Sequence, residues 1–205
     1  VDLTTQFVPD SNTVKTRDII YVGRLVEKKG VTTLIDAIYL LKNNYPGLNV
    51  TLVGDGPERL ALEQQCRRLG VDKQIEFLGS IPNVDVPKLY QSAKIAVVPS
   101  IVAADGDQEG LGLVAVEALG CGCATIVSDL PALSDVITDR ENGLVFSAGD
   151  AIGLQQRISS VLRDESLYRQ LVCTGRQSVI NKFDWLPVGK RYKEILAHCI
   201  NTPAP

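Results

Sequence analysis

A doubly wound parallel β-sheet with helices on both faces, an α/β fold, is what this chain of 205 residues should form. Short apolar runs rich in β-branched residues recur at regular intervals, and stretches of helical period fall between them. Runs of four to eight apolar residues are the pattern of strands buried on both faces. Strands that alternate with helices make right-handed βαβ units and hence a parallel sheet.

Taken in order, residues 1–17 are polar, contain Pro9 and show no period, so they read as a linker segment leading into the first strand. Strands are expected at Ile19 to Val22, Val50 to Val53, Ile75 to Leu78, Ile95 to Val98 and Ala124 to Val127. Between the first two, Leu34, Ala37, Ile38 and Leu41 follow the i, i+3, i+4, i+7 spacing of one helix face. Leu62, Cys66 and Leu69 give a weaker version of that stripe, Leu154, Ile158, Val161 and Leu162 repeat it, and Tyr168, Leu171 and Val172 mark another helix. The domain is expected over residues 18–182, with a C-terminal helix and tail over 183–205.

Composition narrows the functional classes. Hydrophobic residues make up 45% of the chain and charged residues 22%, which suits a folded domain and not a disordered one. A net charge of −3 argues against a nucleic-acid surface, which needs clustered positive charge. No apolar run approaches the roughly 18 residues of a membrane-spanning helix. The five cysteines, Cys66, Cys121, Cys123, Cys173 and Cys199, are odd in number and lack metal-ligand spacing, so they read as core-filling thiols of a reducing, cytoplasmic compartment. The single histidine, His198, leaves no material for a histidine metal site or a Ser-His-Asp triad. No methionine occurs anywhere, which suits a piece of a longer chain.

In a doubly wound sheet, ligands bind at the carboxyl ends of the strands, so chemistry is sought in the loops after Val22, Val53, Leu78 and Val98. The first loop runs from Gly23 to Gly30 and carries Arg24 and Lys29. A planar guanidinium and a point-charge ammonium at a strand end suit a diphosphate. The second, Gly54-Asp55-Gly56-Pro57, has a Gly-x-Gly start but Arg59 at the third glycine position of a nicotinamide fingerprint, so it reads as a tight strand-to-helix turn.

The richest stretch runs from Asp105 to Glu117. Gly110 and Gly112 leave the backbone open where a helix begins, and bare amides at a helix start, with the macrodipole behind them, make an anion site. Glu109 stands ahead of that start and Glu117 about two turns in. Helical side chains lean toward the N-terminus, so Glu117 can turn back to the same ligand. A phosphate between two carboxylates that accept from hydroxyls describes a nucleotide-sugar, with Glu117 on the ribose and Glu109 on the hexose. On spacing alone, a metal held by Asp105 and Asp107 and a glycoside-hydrolase pair formed by Glu109 and Glu117 stay open. An EF-hand fails, because its twelfth position is Val116.

With these residues in place the chain resembles the C-terminal, donor-binding domain of retaining GT-B glycosyltransferases of the family 4 type, the glycosyl transferases group 1. The motifs that carry the resemblance are Val22-Gly23-Arg24-Leu25 with Lys29-Gly30, Leu52 to Pro57, Phe77-Leu78-Gly79, Val98-Pro99-Ser100, Glu109 to Glu117, and Asn142-Gly143-Leu144-Val145. Val1-Asp2, Phe7 and Pro9 are similar to the family's segment that follows its N-terminal domain.

The resemblance implies a Rossmann-like half of a two-domain enzyme. Arg24, Lys29 and Glu109 would then be catalytic, the first two holding the diphosphate and stabilising its departure. Gly23, Gly79, Ile81, the Gly110–Val114 backbone and Glu117 would bind the donor, with the Gly79–Pro82 loop meeting the base. The donor would be a UDP-, GDP- or ADP-linked hexose, with no metal and no other cofactor required. The acceptor would sit on an N-terminal domain absent from this chain, through which any peripheral contact with the inner face of a membrane would be made. Leu130 to Asp135 departs from the family's G-G-x-x-E, which puts that glutamate's contacts in doubt. Related alternatives are a sugar-nucleotide epimerase, a glycan phosphorylase, or a non-catalytic nucleotide-sugar-binding domain.

Overall fold

The computed structural model describes residues 1–201, with side chains to Ala197. Its strands are β1 (Arg17–Val22), β2 (Val50–Val53), β3 (Ile75–Gly79), β4 (Ala93–Val98), β5 (Ala124–Ser128) and β6 (Leu144–Phe146). They form a six-stranded sheet in the order β3-β2-β1-β4-β5-β6, and every neighbouring pair is parallel. The chain leaves β1 toward β2 on one side and later returns to pair β4 on the other. The order therefore reverses between β1 and β4, and the crevice at their carboxyl ends is the switch point of a doubly wound sheet.

Helices α1 (Val31–Leu41), α2 (Arg59–Leu69), α3 (Val86–Gln91), α4 (Leu113–Gly120), α5 (Pro131–Ser134), α6 (Ala151–Arg163), α7 (Glu165–Phe183) and α8 (Trp185–Asn201) complete the fold. The pleat sends alternate residues of β1 to opposite faces. Ile19 and Tyr21 enter a core shared with Leu34, Ile38, Leu62 and Ile158 of α1, α2 and α6. Ile20 enters a second core shared with Ala115, Val116 and Leu119 of α4 and Tyr90 of α3. Helix α7 reaches both, with Leu171 in the first and Val179 in the second. Two helix starts are fixed by aspartates: Asp150 accepts from the Ile152 and Gly153 N–H groups at 3.0 Å each, and Asp164 from Leu167 at 3.0 Å.

All five strands expected from the apolar runs are present. β6, α3 and α5 were not anticipated: they span 3, 6 and 4 residues, too short for a period to show. β1 also begins at Arg17, two residues ahead of the Ile19 at which its apolar run starts.

Residues 1–16 form no strand or helix, yet Leu3 and Phe7 are buried. The Arg176 guanidinium of α7 donates to the carbonyls of Leu3 at 3.1 Å, of Phe7 at 3.3 Å and of Gly120. The Leu3 N–H donates to buried Asp184 at 3.0 Å. Burial of two large apolar side chains at about 1.5–3 kcal/mol each fixes this segment against α4 and α7.

Cys66, Cys121 and Cys123 fill the core as expected, and burial pushes the Cys66 thiol up to about 11 and the Cys123 thiol up to about 12, which keeps both protonated. Cys173 departs from that expectation and is exposed on α7. The side chains of His198 and Cys199 lie outside the described residues.

Candidate functional site

The carboxyl ends of β1, β2 and β3 are stitched side by side. Gly23 N–H donates to Val53 O at 2.9 Å, Leu25 N–H to Asp55 O at 2.9 Å, and Gly54 N–H to Gly79 O at 2.8 Å. Leu25 is fully buried, and the Tyr21 hydroxyl donates to the Arg24 carbonyl at 2.8 Å. These contacts fix the Arg24 backbone while its side chain is exposed. Among the described residues the Arg24 guanidinium makes no ion pair, so its charge is available to a ligand. Beside it lies a small hollow of about 190 Å³ whose lining includes Gly23, Arg24, Gly54, Asp55, Ser80 and Ile81.

Further along the same loop, a 3-10 turn at Glu27–Lys29 ends on Gly30, whose φ is +60°. A Cβ on Gly30 would stand 2.0 Å from the Pro99 carbonyl oxygen, so only glycine lets the β1 and β4 loops approach this closely. The two loops are then cross-linked. Ile101 N–H donates to Lys28 O at 2.8 Å, Ala104 N–H to the Glu27 carboxylate at 3.0 Å, and Lys28 Nζ pairs with Asp107 at 3.0 Å.

Inside this seam Lys29 Nζ bonds Glu109 Oε2, with only 16% and 13% of the two side chains exposed. The same oxygen accepts from the Ser100 hydroxyl at 3.5 Å. Burial acts to raise the Glu109 carboxyl, but the Lys29 ammonium and the Gly110 and Gly112 N–H groups outweigh it and hold the pKa below the ordinary glutamate value.

Helix α4 starts on Gly112, at φ +60° and with no side-chain cap, so its first amides face outward from the switch point. A Cβ at Gly110 would meet nothing within 4 Å, which leaves that backbone open to a ligand. Leu111 and Leu113 are exposed, at 70% and 45%. Glu117 is half-buried on α4, and burial pushes its carboxyl up to about 7.

Thus the structure sets Lys29, Glu109, Gly110 and the start of α4 together, with Gly23 and Arg24 on the neighbouring strand end. Gly79 and Ile81 extend the same row at the end of β3. Asp135 lies elsewhere: it is exposed in a groove with Ser178 and Lys182, on the α7 side of the fold. Sequence reasoning gave no role to the Ser100 hydroxyl or to the Lys28–Asp107 pair. Ser100 had one signal, its place in the loop two residues beyond the end of β4, directly after Pro99. Asp107 of the Asp-x-Asp faces Lys28, and among the described residues no three His, Cys, Asp or Glu side chains cluster as metal ligands do. A larger hollow of about 810 Å³, lined by Asp139, Arg140 and Arg157 among others, lies along the sheet edge at β6 and contains none of the expected site residues. Among the described residues no helix is long and apolar enough to cross a membrane.

The arrangement can do three things chemically. It can neutralise an anion with two cations and open amides, accept hydrogen bonds through Glu109 and Glu117, and receive a flat group beside Ile81. The family described as glycosyl transferases group 1 matches residues 5–178. A glycogen synthase of Mycobacterium tuberculosis is 30% identical over 171 residues, covering 83% of this chain and 40% of that protein.

Among solved structures, the C-terminal domain of a glycosyl transferase group 1 family protein (LpcC) from Francisella tularensis superposes with a TM-score of 0.79 at 26% identity, over 90% of this chain and 99% of that one. Sucrose-phosphate synthase from Thermosynechococcus elongatus gives a TM-score of 0.81 at 29% identity, over 97% of this chain and 51% of that one. The chain spans less than half the length of the curated relatives it matches.

Proposed function

The chain belongs to the glycosyl transferases group 1 family, and from that premise we propose that it is the donor-binding half of a retaining, family 4 type hexosyltransferase. Its donor is a nucleoside-diphosphate hexose, and its acceptor sits on a domain outside this chain. The observation that carries the reading is the meeting of Lys29, Glu109 and the open start of α4 at the β1–β4 switch point, with unpaired Arg24 beside them.

Breaking the bond between a sugar and a diphosphate leaves negative charge on the departing oxygen. Arg24 and Lys29 stand at the strand end where that charge develops and stabilise it, Lys29 once Glu109 has turned to the hexose. The α4 amides add their dipole. Glu117 accepts from the ribose diol and Glu109 from hexose hydroxyls, while the Gly79–Ile81 backbone borders the hollow that takes the base. The half-buried Glu117 carboxyl supports its part: an acceptor short of hydrogen bonds gains most from a ligand that donates two. Two cations and the helix start supply the positive charge that a metal would otherwise bring, so the donor binds without one.

Calorimetric titration of the chain with UDP, GDP and ADP in the presence of a chelator tests this. Heat of binding with at least one of them is expected, and the tightest names the base. No binding by any of the three, nor by their hexose-linked forms, would refute the assignment.

A further inference from the structure

We propose that Glu109 is a placeholder anion: in the ligand-free chain its carboxylate occupies the donors meant for phosphate, and it thereby discriminates sugar-bearing diphosphates from bare ones. The inference rests on the reading of this pocket as a nucleotide-sugar site and adds to it a specificity-determining role.

The Glu109 carboxylate draws on an ammonium (Lys29) and a hydroxyl (Ser100 at 3.5 Å), beside the Gly110 and Gly112 N–H groups just ahead of α4. A cation and a hydroxyl beside open backbone N–H groups are what a phosphate oxygen requires. A carboxylate already satisfies them from within. With its two side chains only 16% and 13% exposed, the Lys29–Glu109 pair is shielded far more than a loose surface pair, so it resists an incoming competitor.

The loop that carries Glu109 is pinned to the opposite turn by the Ile101–Lys28, Ala104–Glu27 and Asp107–Lys28 contacts. Entry of a diphosphate therefore turns the Glu109 side chain out and leaves the loop in place. Once displaced, the carboxylate has lost its cation and needs new donors. The hydroxyls of a diphosphate-linked hexose supply them; a bare nucleoside diphosphate does not. Glu109 thus opposes the bare form and favours the sugar-bearing form, which also weakens the hold on the diphosphate once the sugar has left.

Isothermal titration of the chain and of Glu109→Gln with UDP, GDP and ADP, and with UDP-glucose, GDP-mannose and ADP-glucose, tests the role. Removing the competing charge should tighten the bare diphosphate about tenfold, as expected for one like charge in a partly screened site. It should also erase most of the preference for the sugar-linked partner. Glu109→Asp, too short to span to Lys29 in the same way, should move both quantities in the same direction and serves if the glutamine variant does not fold. Should the native chain bind while neither variant improves on it for the bare diphosphate, the placeholder role is wrong and the site assignment stands. Silence of the native chain toward all six ligands would overturn both.

Discussion

Replacing Glu117 by glutamine should make the protein more stable at neutral and higher pH, because the native carboxylate is held where charge is costly. Burial moves its pKa from 4.5 to about 7. Between those values the folded chain holds a proton that the unfolded chain has released, so stability falls as pH rises through this window. At 1.36 kcal/mol per pH unit the full loss is about 3 kcal/mol, and partial solvent access trims it to about 2–3 kcal/mol. Below pH 4.5 both states carry a neutral carboxyl, and the native contribution is fully present.

Urea denaturation of the native chain and Glu117→Gln at several values between pH 4 and pH 8.5 gives the test. The two should be equal within about 0.5 kcal/mol at the acid end, and the variant should lead by about 2–3 kcal/mol at the alkaline end. A gap that stays flat across the range would refute the reasoning, since the cost would then not be that of an ionised group. The same variant should lose affinity for a nucleoside diphosphate while binding pyrophosphate as before. That is the usual exchange of stability for function at a binding site.

Other parts of the account make separate claims. Gly30→Ala should destabilise the fold by about 3 kcal/mol or more, since the new methyl group would meet the Pro99 carbonyl in a left-handed backbone; thermal or urea unfolding measures it. Gly110→Ala should leave stability unchanged within about 0.5 kcal/mol, because its side chain enters open space, yet should abolish detectable nucleoside-diphosphate binding by calorimetry. Phe7→Ala should lower stability by about 3 kcal/mol, which would show that residues 1–16 belong energetically to the domain. Lys29→Ala should weaken nucleoside diphosphates and their sugar-linked forms alike, as loss of a charge-assisted contact common to both, and the same titrations read it.

The fold was legible wherever burial imposes a period. The central strands are sandwiched between helix layers, so Ile19–Val22 and Ile95–Val98 had to be apolar without interruption, and that pattern shows in one dimension. β6 sits at the sheet edge with three residues, and α5 is a single turn started by Pro131, so neither is long enough to repeat anything. Leu3 and Phe7 are buried through irregular backbone, whose contacts with Arg176 lie about 170 residues away in sequence.

The candidate site was read from loop chemistry. Glycine and cations after β1, and glycines at the start of α4, are the ingredients of the proposed anion-binding corner. What the sequence withholds is pairing across the crevice. Lys29 and Glu109 are 80 residues apart, and no local pattern says that the cation's partner in the free chain is this carboxylate. The same holds for Lys28 and Asp107, a separation of 79. Such pairs follow from the β1–β4 adjacency and from the close approach at Gly30, and both are properties of the folded sheet.

The central claim is that a nucleoside-diphosphate sugar lodges at the β1–β4 switch point. Amide chemical-shift mapping of the isotope-labelled chain, titrated with the sugar nucleotide that binds most tightly, tests it most directly. The perturbed amides should be those of Gly23 to Gly30, Gly54, Ser80 and Ile81, and Glu109 to Glu117, forming one continuous patch. Perturbations gathered instead around Asp139, Arg157 and the hollow along β6, with the Gly110 region silent, would contradict it.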